Sequence, residues 1–137
     1  MQILHATTVA HAGRAAILIG ASGRGKSALA LELMALGAQL VADDRTVLRR
    51  AGGRIITEAP DAIRGRIEAR FVGILHADPA PATAAALIID LDRTETERLP
   101  PHRSKNLLGI ALPLLHNSET RHFPAAILQY LVAGRSD

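Results

Sequence analysis

Gly20-Ala21-Ser22-Gly23-Arg24-Gly25-Lys26-Ser27 has the spacing G-x-x-x-x-G-K-S. That spacing has a physical cause. Glycines let successive backbone N–H groups turn inward around phosphate oxygens, and the N-terminus of a following helix adds partial positive charge. Lys26 is then placed to reach the β- and γ-phosphates of a nucleotide, and the Ser27 hydroxyl to meet Mg2+. Asp43 and Asp44 end the next apolar segment, where α/β proteins concentrate functional groups. Neighbouring strand residues face opposite ways, so the two carboxylates cannot do one job in the same manner. One could hold Mg2+ or its water while the other takes a proton from an incoming hydroxyl, the division of labour that phosphoryl transfer needs. Asp90, at the end of Leu87-Ile88-Ile89, is a competing Mg2+ candidate, because four apolar residues and an acid form a common metal-bearing strand end. Glu68 and Arg70 are spaced to share one face of a strand over Ile67–Val72, a pattern a surface ion pair would also give. The six histidines show no metal-ligand spacing.

These residues need elements to hold them. Ile3 to Val9 reads as a strand and His11-Ala12-Gly13-Arg14 as a turn. Ala15 to Ile19 reads as a short buried strand, so a hairpin leads into the glycine loop. Ser27 to Ala35 carries Leu29, Leu31, Leu33 and Met34 at mostly helical spacing, with Gly37 as its C-terminal stop. Gln39 to Ala42 is a strand running into the aspartate pair. Thr46–Leu48 and Ile55–Thr57 flank Ala51-Gly52-Gly53, a hairpin signal. Ile67 to Leu75 reads as one strand and Ala84 to Leu91 as a buried one. Asp92 to Asn106, charged and carrying Pro100-Pro101, reads as a mobile surface loop. Leu107 to Leu115 is apolar, and Phe123 to Ala133 is a closing helix with Pro124 near its start. Hairpins among α/β units predict a mixed sheet in a single domain over residues 1–137.

Composition narrows the class. Nearly half of the 137 residues are apolar and no apolar run reaches the ~20 residues of a membrane span. The first residues lack the basic and greasy pattern of a signal peptide, so a cytoplasmic protein is the expectation. With no cysteine, thiolate metal sites and a Cys nucleophile are excluded. Arginine supplies fourteen of the sixteen basic residues and suits bidentate contact with phosphates, although an Arg- and Ala-rich composition is also what a GC-rich genome produces. Two Phe, one Tyr and no Trp leave few platforms for stacking bases, and no long basic run occurs, so nucleic acid is not the expected partner.

With the glycine loop, Leu40-Val41-Ala42-Asp43-Asp44 and Glu68-Ala69-Arg70-Phe71-Val72-Gly73-Ile74 in view, the chain resembles the catalytic domain of HPr kinase/phosphorylase, in a short form without an added N-terminal domain. His5 stands fifteen residues before the first loop glycine, as the family's histidine does. Arg98-Leu99 and Leu107 to Pro113 are similar to later family segments. The resemblance implies a P-loop kinase fold like that of phosphoenolpyruvate carboxykinase, with ATP and Mg2+ as cofactors and an HPr-like phosphocarrier protein as partner. It implies serine phosphorylation, with reversal by phosphorolysis, and a homo-oligomer, a hexamer in the family. By the same resemblance residues 20–27 bind nucleotide, with Lys26 also catalytic. Asp43 is the base that His5 contacts and tunes, and Arg98 closes over the site. Ser27, Asp44 and Glu68 surround the metal, and Arg70 lines the same site. Ala21, Ala28 and Phe71 depart from the family pattern. Two other readings stay open from the residues: a small-molecule kinase or NTPase using Asp90, and a nucleotide-binding regulatory module without chemistry.

Overall fold

A computed structural model describes residues 1–137. Its elements in chain order are strands β1 (Gln2–Leu4), β2 (Ala6–His11) and β3 (Arg14–Ile19), helix α1 (Lys26–Ala35), and strands β4 (Gln39–Ala42), β5 (Thr46–Ala51) and β6 (Arg54–Glu58). After a short 3-10 turn at Asp61–Ile63 come β7 (Arg66–Ala69), β8 (Gly73–His76), β9 (Thr83–Thr94), β10 (Arg103–Leu107), β11 (Ile110–Asn117) and helix α2 (Phe123–Ala133).

The sheet is mixed, as expected. Strand β9 is its spine: it runs parallel to β3 (Ile17↔Ile88) and to β11 (Leu114↔Ile88) and antiparallel to β6 (Ile56↔Ala84). The strand order β1-β5-β6-β9-β3-β2-β4 continues outward from there, with β10 beyond β11. Leu87, Ile88 and Ile89 are all fully buried because both faces of β9 are covered, which is why that stretch reads as an unbroken apolar run. Leu87 and Ile89 pack with Val9, Leu18, Leu29, Leu33, Ile127 and Leu131 under the two helices. Ile88 turns to the other side, with Ile17, Leu48, Ile55, Leu107 and Leu112.

Local rules account for most boundaries. The β2–β3 hairpin turns through Ala12 and Gly13, both at positive φ (53° and 75°), the tight turn that matches strand twist. Helix α1 ends with Ala38 N–H donating to Leu33 O (3.0 Å) and Gly37 N–H to Met34 O (3.0 Å). This double closure requires the left-handed residue Gly37 supplies.

Three expectations are corrected. Ile3 to Val9 is not one strand: the chain breaks at His5, and β1 pairs with β5 while β2 pairs with β3 and β4. Ile67 to Leu75 is a hairpin, β7–β8, forming its own two-stranded sheet. Phe71 at φ 69° and Gly73 at φ 138° reverse the chain. Asp92 to Asn106 is no free loop, because β9 persists to Thr94 and β10 begins at Arg103. The segment between is tied down by Glu95, whose carboxylate accepts from Arg103 and whose N–H donates to Asn117 O (2.8 Å).

Candidate active site

The glycine loop joins the end of β3 to the start of α1. Gly20 sits at φ 150°, and a Cβ there would lie 3.3 Å from Leu91 Cβ, so a side chain would strain the backbone and crowd Leu91. Gly25 precedes the helix, whose first turn carries no acidic residue. Lys26 is folded back across the loop and buried, its Nζ donating to Gly20 O (2.7 Å) and Ala21 O (3.4 Å). An ammonium held only by carbonyls, at a helix N-terminus with free N–H groups, suits an anion.

Asp43 ties three elements together. Its Oδ1 accepts from Ser27 Oγ (2.6 Å) and Thr7 Oγ1 (3.0 Å), and its Oδ2 from Glu68 N–H (2.9 Å). It is 9% exposed. The next residue does the opposite. Asp44 adopts φ 67°, a conformation Asp tolerates better than most residues, and its N–H donates to Thr7 Oγ1 (3.1 Å). Its carboxylate therefore swings out of the Asp43 network, 60% exposed, and accepts from His5 Nε2 at 2.6 Å. The expected contact of His5 with Asp43 is thus corrected: the histidine pairs with Asp44, because the left-handed backbone at 44 sends the two carboxylates to different sides.

A cleft of about 450 Å³ opens between this loop and the β7–β8 hairpin. Ser22, Gly23, Gly25, Lys26, Ser27, Ala28 and Leu31 line one wall, Glu68, Ala69, Arg70 and Val72 the other, with Asp44 between them. Glu68 and Arg70 therefore reach the same space, but not as period-two neighbours of one strand. Glu68 lies on β7 and Arg70 in the turn that follows it.

Two candidates lie elsewhere. Arg98 is exposed on a second cleft of about 520 Å³, which His116, His122 and Glu97 also line. Asp90 accepts from Asp92 N–H (2.9 Å) and lies 3.9 Å from Arg93 Nε, and it does not line the glycine-loop cleft. No three His, Asp or Glu side chains gather in a group that could hold a metal by themselves. Of the ionisable groups, Glu95 stands apart: the Arg103 guanidinium beside it holds its carboxyl below the usual range, against the opposing effect of burial.

Sequence reading missed Thr7, which bridges both aspartates, and Asp92. The Asp92 carboxylate accepts from Ala21 N–H (3.1 and 3.2 Å) and lies 3.3 Å from Arg24 Nε. Thr7 left a faint signal as a polar residue inside an apolar strand. Asp92 left none, being 71 residues from its partner.

The HPr serine kinase C-terminal domain family model matches residues 1–99. Among curated relatives, the HPr kinase/phosphorylase of Caldicellulosiruptor bescii is 36% identical over 124 residues, covering 81% of this chain and 40% of that protein. The protein of the same name from an Exiguobacterium species is 40% identical over 128 residues, covering 84% and 41%. The chain thus spans about two fifths of the length of these relatives. The solved Hpr(Ser) kinase/phosphatase of Coxiella burnetii superposes with a TM-score of 0.79 at 25% identity, over 96% of this chain and 88% of the other.

Proposed function

The chain belongs to the HPr serine kinase C-terminal domain family, and on that premise we propose that it is an ATP- and Mg2+-dependent kinase domain. Its substrate is a serine of the phosphocarrier protein HPr or an HPr-like protein. Residues 20–27 are then a P-loop, in a kinase fold of the phosphoenolpyruvate-carboxykinase type. The relatives' names support the activity; the arrangement of the cleft supports the roles.

The observation that carries the reading is Asp44. It is the one carboxylate that is both on the glycine-loop cleft and paired with a histidine. The loop N–H groups and the start of α1 receive the nucleotide phosphates, and Lys26 exchanges its carbonyl partners for phosphate oxygens. Ser27 and Asp43, already hydrogen-bonded at 2.6 Å, form the usual P-loop pairing of hydroxyl and strand-end acid for Mg2+. Glu68 faces the same cleft, and one or two carboxylates completed by substrate phosphates are what Mg2+ ordinarily takes. Bound there, Mg2+ would neutralise charge on the phosphates. Arg70, on the same wall as Glu68 and facing the glycine loop, adds positive charge where the transferring phosphoryl group passes.

The roles of the two aspartates therefore exchange relative to the family-based expectation. Asp43 is enclosed by three donors and organises Ser27 and β7. Asp44 is the group free to take the serine hydroxyl proton as that oxygen bonds to the γ-phosphorus and ADP leaves. His5 orients the Asp44 carboxylate. Arg98 has no part in this cleft as the chain is folded here. The test is transfer of phosphate from ATP to serine on purified HPr, followed by mass spectrometry with and without Mg2+. Phosphoserine that depends on both ATP and Mg2+ is expected; its absence sinks the proposal.

A further inference from the structure

We propose that Asp92 is a positioning residue that holds the phosphate loop in its anion-accepting shape. The inference rests on reading residues 20–27 as a nucleotide-phosphate site, and goes beyond it by assigning a residue to the loop's support.

Within the loop, Lys26 Nζ holds the Gly20 and Ala21 carbonyls and Arg24 N–H donates to Ala21 O (3.1 Å), and the lysine gives up its carbonyls when it turns to phosphate. Gly20, Gly23 and Gly25 all adopt positive φ, and such residues are free to move in the absence of outside contacts. Asp92 supplies those contacts from the far end of β9. One carboxylate takes the Ala21 N–H with both oxygens (3.1 and 3.2 Å) and the Arg24 guanidinium (Nε at 3.3 Å). Asp92 is itself fixed, because its N–H donates to Asp90 Oδ1 (2.9 Å). Asp90 and Asp92 thus form a two-step brace running from the central strand to the loop. Leu91 between them packs within 3.3 Å of where a Gly20 side chain would begin, so strand and loop touch closely at this point.

The sign of the expected effect separates this role from its rivals. A carboxylate at the edge of an anion site repels the anion. If its charge were all that mattered, removing it would tighten nucleotide binding. An exposed ion pair with Arg24 alone would be worth little. A brace predicts weaker binding.

Mg-ADP affinity should be measured by calorimetry for the parent, Asp92→Ala and Asp92→Asn, alongside thermal unfolding and amide exchange over residues 21–25. Asp92→Ala is expected to weaken ADP binding about tenfold, to speed exchange in the loop, and to leave the unfolding midpoint near the parent's. Asp92→Asn keeps an acceptor for Ala21 N–H and should fall between. Unchanged or tighter binding in Asp92→Ala would overturn the proposal, as would a loss that tracks only the fraction unfolded. If the parent binds neither ADP nor pyrophosphate, the phosphate-site reading itself fails and this inference with it. If ADP binds but HPr is not phosphorylated, only the kinase reading fails and the brace stands.

Discussion

His5 Nε2 lies 2.6 Å from Asp44 Oδ1, across 39 residues of chain, and the pair is tied to the buried Asp43 network through Asp44 N–H, which donates to Thr7 Oγ1. The break between β1 and β2 leaves His5 at the sheet surface. The positive φ of Asp44 turns its carboxylate toward that histidine and the cleft. A base beside a histidine and a second acid beside the loop serine make two tasks for two adjacent aspartates.

The pair should divide catalysis from binding. Asp44→Asn should lower HPr phosphorylation roughly 10²–10⁴-fold, the usual worth of a positioned base. His5→Ala should cause a smaller loss. Both variants should bind Mg-ADP as the parent does, which calorimetry would show. Equal losses of rate and ADP affinity would instead make the pair part of the nucleotide site.

Asp43 should behave differently. Replacing it with Asn puts an NH2 group against donors from Thr7, Ser27 or Glu68 in a nearly closed space. Leaving such groups unsatisfied costs about 1–3 kcal/mol. Asp43→Asn should therefore lower the thermal midpoint by several degrees, whereas the exposed Asp44→Asn should barely move it. Matching midpoints for the two variants would count against the network.

The Glu95–Arg103 contact sets an acid-side dependence. Arg103 holds the Glu95 carboxyl below its ordinary value of 4.5. Its contribution to stability is therefore complete above that value and is lost as pH falls through the lower, folded-state value. The gap in thermal midpoint between parent and Glu95→Gln should be widest near neutrality and shrink as pH drops below 4.5. A gap that stays constant across this range would show that the contact carries no such linkage.

Phe71 is fully exposed at φ 69°, a conformation that costs a bulky residue roughly 1–2 kcal/mol. Phe71→Asn loses no packing and occupies that region more readily. It should raise stability by up to about 1 kcal/mol, read from denaturant unfolding, with Mg-ADP affinity unchanged. A destabilised variant would mean that Phe71 makes contacts its exposure does not suggest.

The sequence was most informative where one residue type satisfies one local demand. The glycine loop, the hairpin turns at Gly13 and Gly52, and the stop at Gly37 could be read because these glycines sit at positive φ, which few other residues adopt. Both helices fell within a residue of their expected bounds. The β7–β8 hairpin was hidden because its turn is made by Phe71, which ordinarily argues for a continuing strand. Strand periodicity predicts that Asp43 and Asp44 face different ways, but β4 ends at Ala42 and the divergence comes from the positive φ of Asp44. Which of them meets His5 depended on a single backbone angle that no propensity encodes. The Asp92 contact and the tethering of residues 95–102 arise from the pairing of β9 with its neighbours, and long-range packing of that kind leaves no local pattern to read.

The most direct measurement is the rate of HPr serine phosphorylation by the parent, Asp44→Asn and Asp43→Asn, each shown to be folded and to bind Mg-ADP. Phosphoserine should form with the parent and fall to near background with Asp44→Asn while ADP affinity holds. No phosphoserine from a parent that binds Mg-ADP, or an Asp44→Asn variant working at the parental rate, would contradict the assignment.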